Sequence, residues 1–206
     1  NLGSVTYGNS TFVAVGNTGT ILTSSDGSKW TKRKSGTKKS LYGVTYGNNT
    51  FVAVGKQGTI ITSSDGTKWT RRKSRTSLEF NEVIYANKTF LAFGYKGVIR
   101  TSSNGKSWIK RKSGTKKSLN GATYVNFTFV AVGHAGTILS SLKGKSWTKN
   151  KSGTKKNLRG IAYGNDKFVM VGNDGTILSS PDLTTWYKRK SGTSQHLRRV
   201  FFELME

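Results

Sequence analysis

The sequence predicts an all-β chain folded as a five-bladed β-propeller of 39-residue, four-stranded antiparallel blades, and three observations predict it. Trp30, Trp69, Trp108, Trp147 and Trp186 recur every 39 residues, so one unit is repeated five times. Each unit holds four short β-rich runs separated by Gly and Asn turns. Proline occurs once, and no stretch keeps a 3.6-residue apolar period long enough for a helix. A unit too small to bury its own apolar face must stack on its neighbours, and four-stranded meanders of this length do so as blades around an axis. A β-trefoil has three such repeats, and solenoid coils are shorter.

Residues 41–79 serve as the type unit. The runs Leu41-Tyr-Gly-Val-Thr-Tyr-Gly, Thr50-Phe-Val-Ala-Val-Gly, Gly58-Thr-Ile-Ile-Thr-Ser and Trp69-Thr-Arg-Arg-Lys predict strands near 41–46, 50–55, 58–63 and 69–73. Blades then fall at about 1–39, 40–78, 79–117, 118–156 and 157–195. The tail 196–206 begins with His196-Leu-Arg-Arg-Val-Phe-Phe in the phase of Asn1-Leu-Gly-Ser-Val-Thr-Tyr. It lies redundant, replaces the N-terminal copy and latches a ring, or opens a sixth blade; five blades with a locally packed tail are expected.

Asn9-Ser-Thr, Asn48-Asn-Thr, Asn87-Lys-Thr and Asn126-Phe-Thr fit the glycan acceptor sequon, in phase. The preferred reading is turn chemistry, because Asn suits the hairpin between the first two strands and Thr the strand start.

Composition bounds function. Hydrophobic residues make up 33% of the 206-residue chain but gather in short runs, unlike a disordered sequence. Without cysteine there is neither a disulfide framework nor a thiolate metal site, which leaves the compartment open. No apolar run approaches the roughly 18 residues needed to span a bilayer. Opening at Asn1, with no initiator methionine or signal-like segment, reads as a processed protein or an excised fragment.

The 34 Lys and Arg against nine acids give +25, which suggests a polyanionic partner or, more plainly, lysines that blunt strand edges. The cations form a repeated belt. Lys32, Arg33 and Lys34, then Arg71, Arg72 and Lys73, Lys110, Arg111 and Lys112, Lys149 and Lys151, and Lys188, Arg189 and Lys190 fall on the outermost strand. The pairs Lys38 and Lys39, Lys116 and Lys117, and Lys155 and Lys156 fall in the loop returning to the inner strand. In a propeller meander that loop shares a face with the loop joining strands two and three. The tips there are Asn17, Lys56 and Gln57, Tyr95 and Lys96, His134, and Asn173 and Asp174, which vary between near-identical strands and are candidate ligand contacts.

Ser24-Ser25-Asp26-Gly27-Ser28-Lys29-Trp30, echoed at Ser63 to Trp69, resembles the Asp-box of sialidase-type and photosystem-assembly-factor-type propellers. The Phe-Val-Ala-Val-Gly and Gly-Thr-Ile-Leu runs strengthen the likeness, which covers all five units. The resemblance implies a structural turn between the third and fourth strands, its carboxylate capping backbone amides and its aromatic wedged between blades. Asp26 to Trp30 spans four positions where the usual box spans five, and Asn104 and Lys143 replace the aspartate while Asp182 keeps it beside a proline, which argues against a shared metal role.

Sialidase chemistry in the resembling enzymes needs an arginine triad, a Tyr/Glu pair and an acidic donor. Asp26, Asp65 and Asp182 belong to the boxes, Asp166 and Asp174 to turns, and Glu203 and Glu206 to the tail. Only Glu79 and Glu82 remain as a carboxylate pair for glycoside hydrolysis. His134 and His196 read as surface or turn residues.

The leading expectation is therefore a non-enzymatic binding or assembly scaffold, with no cofactor, that presents its tips and cationic rim to an anionic glycan, an envelope polymer or an acidic protein surface. Nucleic acid ranks below these, because Tyr95 is the one aromatic tip available for base stacking. A multivalent lectin with inter-blade sites is the alternative, and a sialidase-like hydrolase comes last.

Overall fold

Every repeat opens on a hairpin whose two central residues both have positive φ, as at Asn48 (44°) and Asn49 (53°). That is the geometry of a type I′ turn, whose twist matches the paired strands and which Asn tolerates better than other side chains. The Asn side chain is used as well: Nδ2 of Asn48 donates to the Ser103 carbonyl at 3.2 Å, tying the hairpin to the following blade. Turn chemistry accounts for the recurring Asn-x-Thr.

The structure is a computed structural model that describes residues 1–202; Glu203 and Glu206 lie outside the described residues. Its strands are β1 (Leu2–Gly8), β2 (Thr11–Gly16), β3 (Ile21–Ser24) and β4 (Thr31–Arg33) in the first blade, and β5 (Leu41–Gly47), β6 (Thr50–Gly55), β7 (Ile60–Ser63) and β8 (Thr70–Arg71) in the second. The third blade holds β9 (Phe80–Ala86), β10 (Thr89–Gly94), β11 (Ile99–Ser102) and β12 (Ile109–Arg111). Next come β13 (Leu119–Val125), β14 (Thr128–Gly133), β15 (Ile138–Ser141) and β16 (Thr148–Asn150), and finally β17 (Leu158–Gly164), β18 (Lys167–Gly172), β19 (Ile177–Ser180) and β20 (Tyr187–Arg189). Each set of four forms one antiparallel sheet in sequence order, the five-bladed β-propeller class that the repeats predict.

Two strand boundaries differ from expectation. The third strand starts at Ile60 because Lys56–Gly58 closes a 3-10 turn. The fourth runs only from Thr70 to Arg71, after the Trp69 indole, which turns back to donate to the Gly66 carbonyl at 2.8 Å as its counterparts do in the other blades.

The chain divides into two compact units, Asn1–Arg111 and Lys112–Glu206. In the first, Val13, Val15 and Ile21 of one blade pack on Leu41, Val44 and Phe51 of the next, all nearly solvent-free. Val52, Val54 and Ile60 repeat the arrangement against Phe80, Val83 and Trp108. In the second unit, Val130, Val132 and Ile138 meet Leu158, Ile161 and Met170. Each such buried side chain contributes about 1.5–3 kcal/mol, so the seams between blades carry the core.

The tryptophans follow this logic unevenly. Trp69 and Trp186 pack against seam clusters and Trp108 is 6% exposed, but Trp30 is 40% exposed, because no blade precedes it within its unit. Leu2, Val5 and Tyr7 on the same blade are likewise exposed. Their counterparts in the tail are in contact: Phe202 lies over Gly164 as Tyr85 lies over Gly47, and Val200 approaches Gly160. The Leu197 amide also donates to the Gly172 carbonyl at 2.9 Å.

Candidate functional site

The tips are tight, hydrogen-bonded turns. In the first unit, Asn17–Gly19, Lys56–Gly58 and Tyr95–Gly97 are 3-10 turns whose middle residues, Thr18, Gln57 and Lys96, are left-handed at 53°, 55° and 52°. Each is tied to the loop that enters its own blade, as when the Lys56 amide donates to the Ser40 carbonyl at 2.9 Å. In the second unit the Gly136 and Gly175 amides bond the Lys156 and Gln195 carbonyls at 2.8 and 2.7 Å. Within each unit, then, tips and returning loops share a face.

The predicted tip residues separate on inspection. Asn17, Lys56, Gln57, Tyr95, Lys96 and His134 are exposed. The Lys96 ammonium stands 5.5 Å from the Tyr95 ring centroid. Partial burial, then Arg159 and Lys117, push the His134 pKa down, so its imidazole is neutral near pH 7. Asn173 and Asp174 are already engaged: Asn173 Oδ1 accepts from Arg159 Nε, and Lys156 Nζ lies 2.6 Å from Asp174 Oδ2. His196 Nδ1 accepts the Asp174 amide at 3.2 Å, which leaves that nitrogen no proton to offer the carboxylate 3.5 Å away.

The cationic belt also divides. Arg33, Arg72, Arg111 and Arg189 each donate Nε at 2.8 Å to a hydroxyl on the neighbouring third strand: Thr23, Thr62, Thr101 and Ser179. Asn150 does the same to Ser140 at 2.9 Å. The middle residue of each cluster therefore braces the outermost strand. Lys32, Lys34, Arg71, Lys73, Lys110, Lys112, Lys188 and Lys190 remain exposed on either side.

Lys38, Lys39, Lys116, Lys117 and Lys155 are exposed, and among the described residues no carboxylate lies in ion-pair range of them. Their loops are preset by Ser-Gly-Thr: the Ser35 hydroxyl donates to the Thr37 carbonyl at 3.0 Å, and Thr37 Oγ1 accepts the Lys39 amide at 3.0 Å. The same bonds recur at Ser113 and Thr115 and at Ser152 and Thr154.

The Ser-x-Asp turns are structural. Asp26 Oδ1 accepts from Ser28 N, Lys29 N and Ser24 Oγ at 2.8, 3.0 and 3.0 Å. Asn104 repeats all three bonds with its amide oxygen. These donors hold the Asp26 carboxyl below its ordinary range; at Asp65 the Thr67 hydroxyl adds the largest effect, and Asp182 falls to about 2. Because the folded pKa values are depressed, their stabilisation is complete above the unfolded value of about 4 and is lost as pH falls toward 2. Thermal melts between pH 5 and pH 2.5 should show the midpoint dropping over that window. The triple variant Asp26→Asn, Asp65→Asn, Asp182→Asn should flatten the drop, and an unchanged slope would contradict this account.

Of the two carboxylates singled out for hydrolysis, Glu79 precedes β9 and Glu82 lies on it. Glu82 lies over Gly43 and accepts the Val83 amide at 3.4 Å. Burial and then the charge of Glu79 raise the pKa of Tyr42. No three His, Asp or Glu side chains gather as a metal set among the described residues.

With five four-stranded sheets and their tip faces established, comparison is informative. The chain resembles solved propellers. One structure described as YCF48 bound to D1 peptide superposes at TM-score 0.73, with 17% identity over 92% of this chain and 66% of that one. YCF48 from Cyanidioschyzon merolae gives 0.68, 15% identity, and 90% and 70% coverage. The computationally designed Ika8 protein gives 0.77, 14% identity, and 98% and 65% coverage. This chain thus spans about two thirds of each neighbour's length. At such identities the likeness shows the fold alone. No family model matches the sequence, and no curated protein does either.

Two features escaped the sequence reading. Arg100 is buried on β11, and a cavity of about 630 Å³ opens between the fourth and fifth sheets beside Lys143. The signal for the second was present in the loss of the aspartate at position 143.

Proposed function

We propose that the chain is a non-enzymatic binding scaffold in which the tip face of each unit engages acidic protein segments. The observation that carries the reading is the set of paired lysines, Lys38 and Lys39, Lys116 and Lys117, and Lys155, exposed without carboxylate partners among the described residues, beside hydrogen-bonded tips. Preset loops lose little entropy on binding, and unpaired cations await opposite charge. The fold neighbour described with a bound D1 peptide supports a peptide as the partner class. The Ser-x-Asp turns belong to this reading as Asp-boxes with a scaffolding role.

Fluorescence anisotropy tests the proposal with a labelled Glu-rich peptide, a heparin oligosaccharide, single-stranded DNA and neutral dextran. The peptide should bind at low salt and lose about tenfold or more in affinity between 50 and 200 mM salt, because the contacts are charge pairs screened over about 8–10 Å. Changing Lys38, Lys39, Lys116, Lys117 and Lys155 to Gln should remove binding. Retained affinity in that variant, or no peptide binding at low salt, would sink the reading; heparin binding alone would move the partner to anionic glycans.

A further inference from the structure

We propose that the blade bearing Lys143 carries a carboxylate-binding site in which a ligand supplies the group that the chain omits. In the other four blades an Asp or Asn oxygen accepts from the serine hydroxyl that ends the third strand and from two backbone amides: Asp26, Asp65, Asn104 and Asp182 each do so. At Lys143 that acceptor is gone. By the repeat spacing, Lys145 and Ser146 supply the amides equivalent to the two backbone donors of the other blades.

The consequence is visible in Ser141. This serine is 6% exposed, and its Oγ is a buried polar atom with no hydrogen-bond partner. Its counterpart Ser24 donates to Asp26 and accepts the Gly27 amide at 2.9 Å. An unsatisfied buried hydroxyl costs about 1–3 kcal/mol, so a ligand oxygen placed there gains more than an ordinary surface hydrogen bond.

Ser141 also lines the cavity of about 630 Å³. Leu142 and Leu183 contribute apolar wall, while Lys143 and Lys145 supply positive charge. Asp182 stands in the lining too, but its Oδ1 is occupied by Ser180, Thr184 and Thr185. The volume lies in the range of small-ligand pockets. The chemistry fits a single carboxylate attached to an apolar body, whether a free organic acid or a peptide carboxyl terminus. This site is independent of the lysine pairs on the tip face.

The test uses the full chain and four probes: hexanoate, hexanamide, a Leu-terminated pentapeptide acid and the same pentapeptide amidated. Amide chemical shifts in a 15N-labelled sample should move at Lys145 and Ser146 with hexanoate or the peptide acid, and the two amide probes should leave them still. Binding of hexanoate assigns free acids, and binding of the peptide acid alone assigns chain termini.

Variants separate the site from nonspecific attraction to cations. Lys143→Asn places the amide oxygen that Asn104 already shows to be sufficient, so it should fill the site from within and lower affinity by at least about tenfold. Lys143→Ala removes the same charge but leaves the site open, and should stay within about threefold of the parent. Ser141→Ala should weaken binding without touching charge. The proposal is overturned if neither acid moves the two amides, or if Lys143→Asn and Lys143→Ala bind alike.

Discussion

Replacing Gly58 by Ala is expected to lower the unfolding free energy by about 3 kcal/mol, while the same change at Gly36 should cost only about 1 kcal/mol. Both glycines sit in the left-handed region, at φ +66° and +70°. They differ in what a methyl group would meet. At Gly58 it would stand 2.0 Å from the Thr76 carbonyl oxygen and 2.9 Å from Ser74 Oγ, so the tip would have to leave the returning loop. At Gly36 nothing lies within 4 Å. The chain contains its own control, since Arg75 occupies the position of Gly36 in the second blade at φ 54°. Urea denaturation of the two variants measures the contrast. Losses equal to within about 0.5 kcal/mol would mean that backbone conformation, rather than the tip-to-loop contact, sets the requirement for glycine. The result bears on function, because Lys56 and Gln57 are held out to solvent by the turn that Gly58 closes.

The elements that were legible in the sequence are those whose cause is local. The Asn of each hairpin predicts a turn because few other residues tolerate positive φ, and the structure places positive φ there in all five repeats. The continuous apolar run in Thr50–Gly55 and its copies predicts buried strands because packing demand recurs with the repeat. What a belt of basic triplets does not disclose is that one member is committed. Arg33 looks like Lys32 and Lys34 until the strands are paired, when Ile21 opposes Arg33 and the side chain reaches diagonally to Thr23. A signal was available: a hydroxyl residue ten positions before the middle residue recurs in every unit, at Thr23, Thr62, Thr101, Ser140 and Ser179. Reading the cluster by its charge alone passes over that spacing.

The candidate site divides along the same line. The paired lysines were legible because adjacent charges in the loop back to the inner strand are read directly from the sequence. The cavity at Lys143 was not, because it arises from a missing acceptor, and its effect appears only where Ser141 is buried without a partner. Departures from a repeat are thus of two kinds. Asn104 replaces aspartate and preserves the three hydrogen bonds to the side-chain oxygen, whereas Lys143 replaces it with a side chain that has no acceptor to offer them. The chemistry of the substitute, rather than the fact of substitution, decides which blade is altered.

Arg100 is a further departure from the repeat, and truncating it to alanine is expected to be strongly destabilising. The corresponding positions hold Leu22, Ile61, Leu139 and Leu178. Here a guanidinium only 5% exposed donates to the Ser74, Arg75 and Ile99 carbonyls at 2.9, 3.1 and 3.2 Å. Burial pulls its pKa below the ordinary arginine value, yet arginine keeps its charge in proteins, so carbonyl dipoles must replace its water. Arg100→Ala should cost about 2–4 kcal/mol, through an unfilled volume and the release of the loop carrying the left-handed Arg75. Arg100→Leu should cost less than about 1 kcal/mol, since it restores the apolar residue that the other blades carry and fills most of the space. Urea denaturation measures both. Amide exchange at Arg75 and Thr76 then separates the two roles: with Leu in place the fold should hold while those amides exchange faster, because the tether is gone. If Arg100→Leu is as damaging as Arg100→Ala, the guanidinium bonds themselves hold this blade against its neighbour and the apolar packing of the position is secondary.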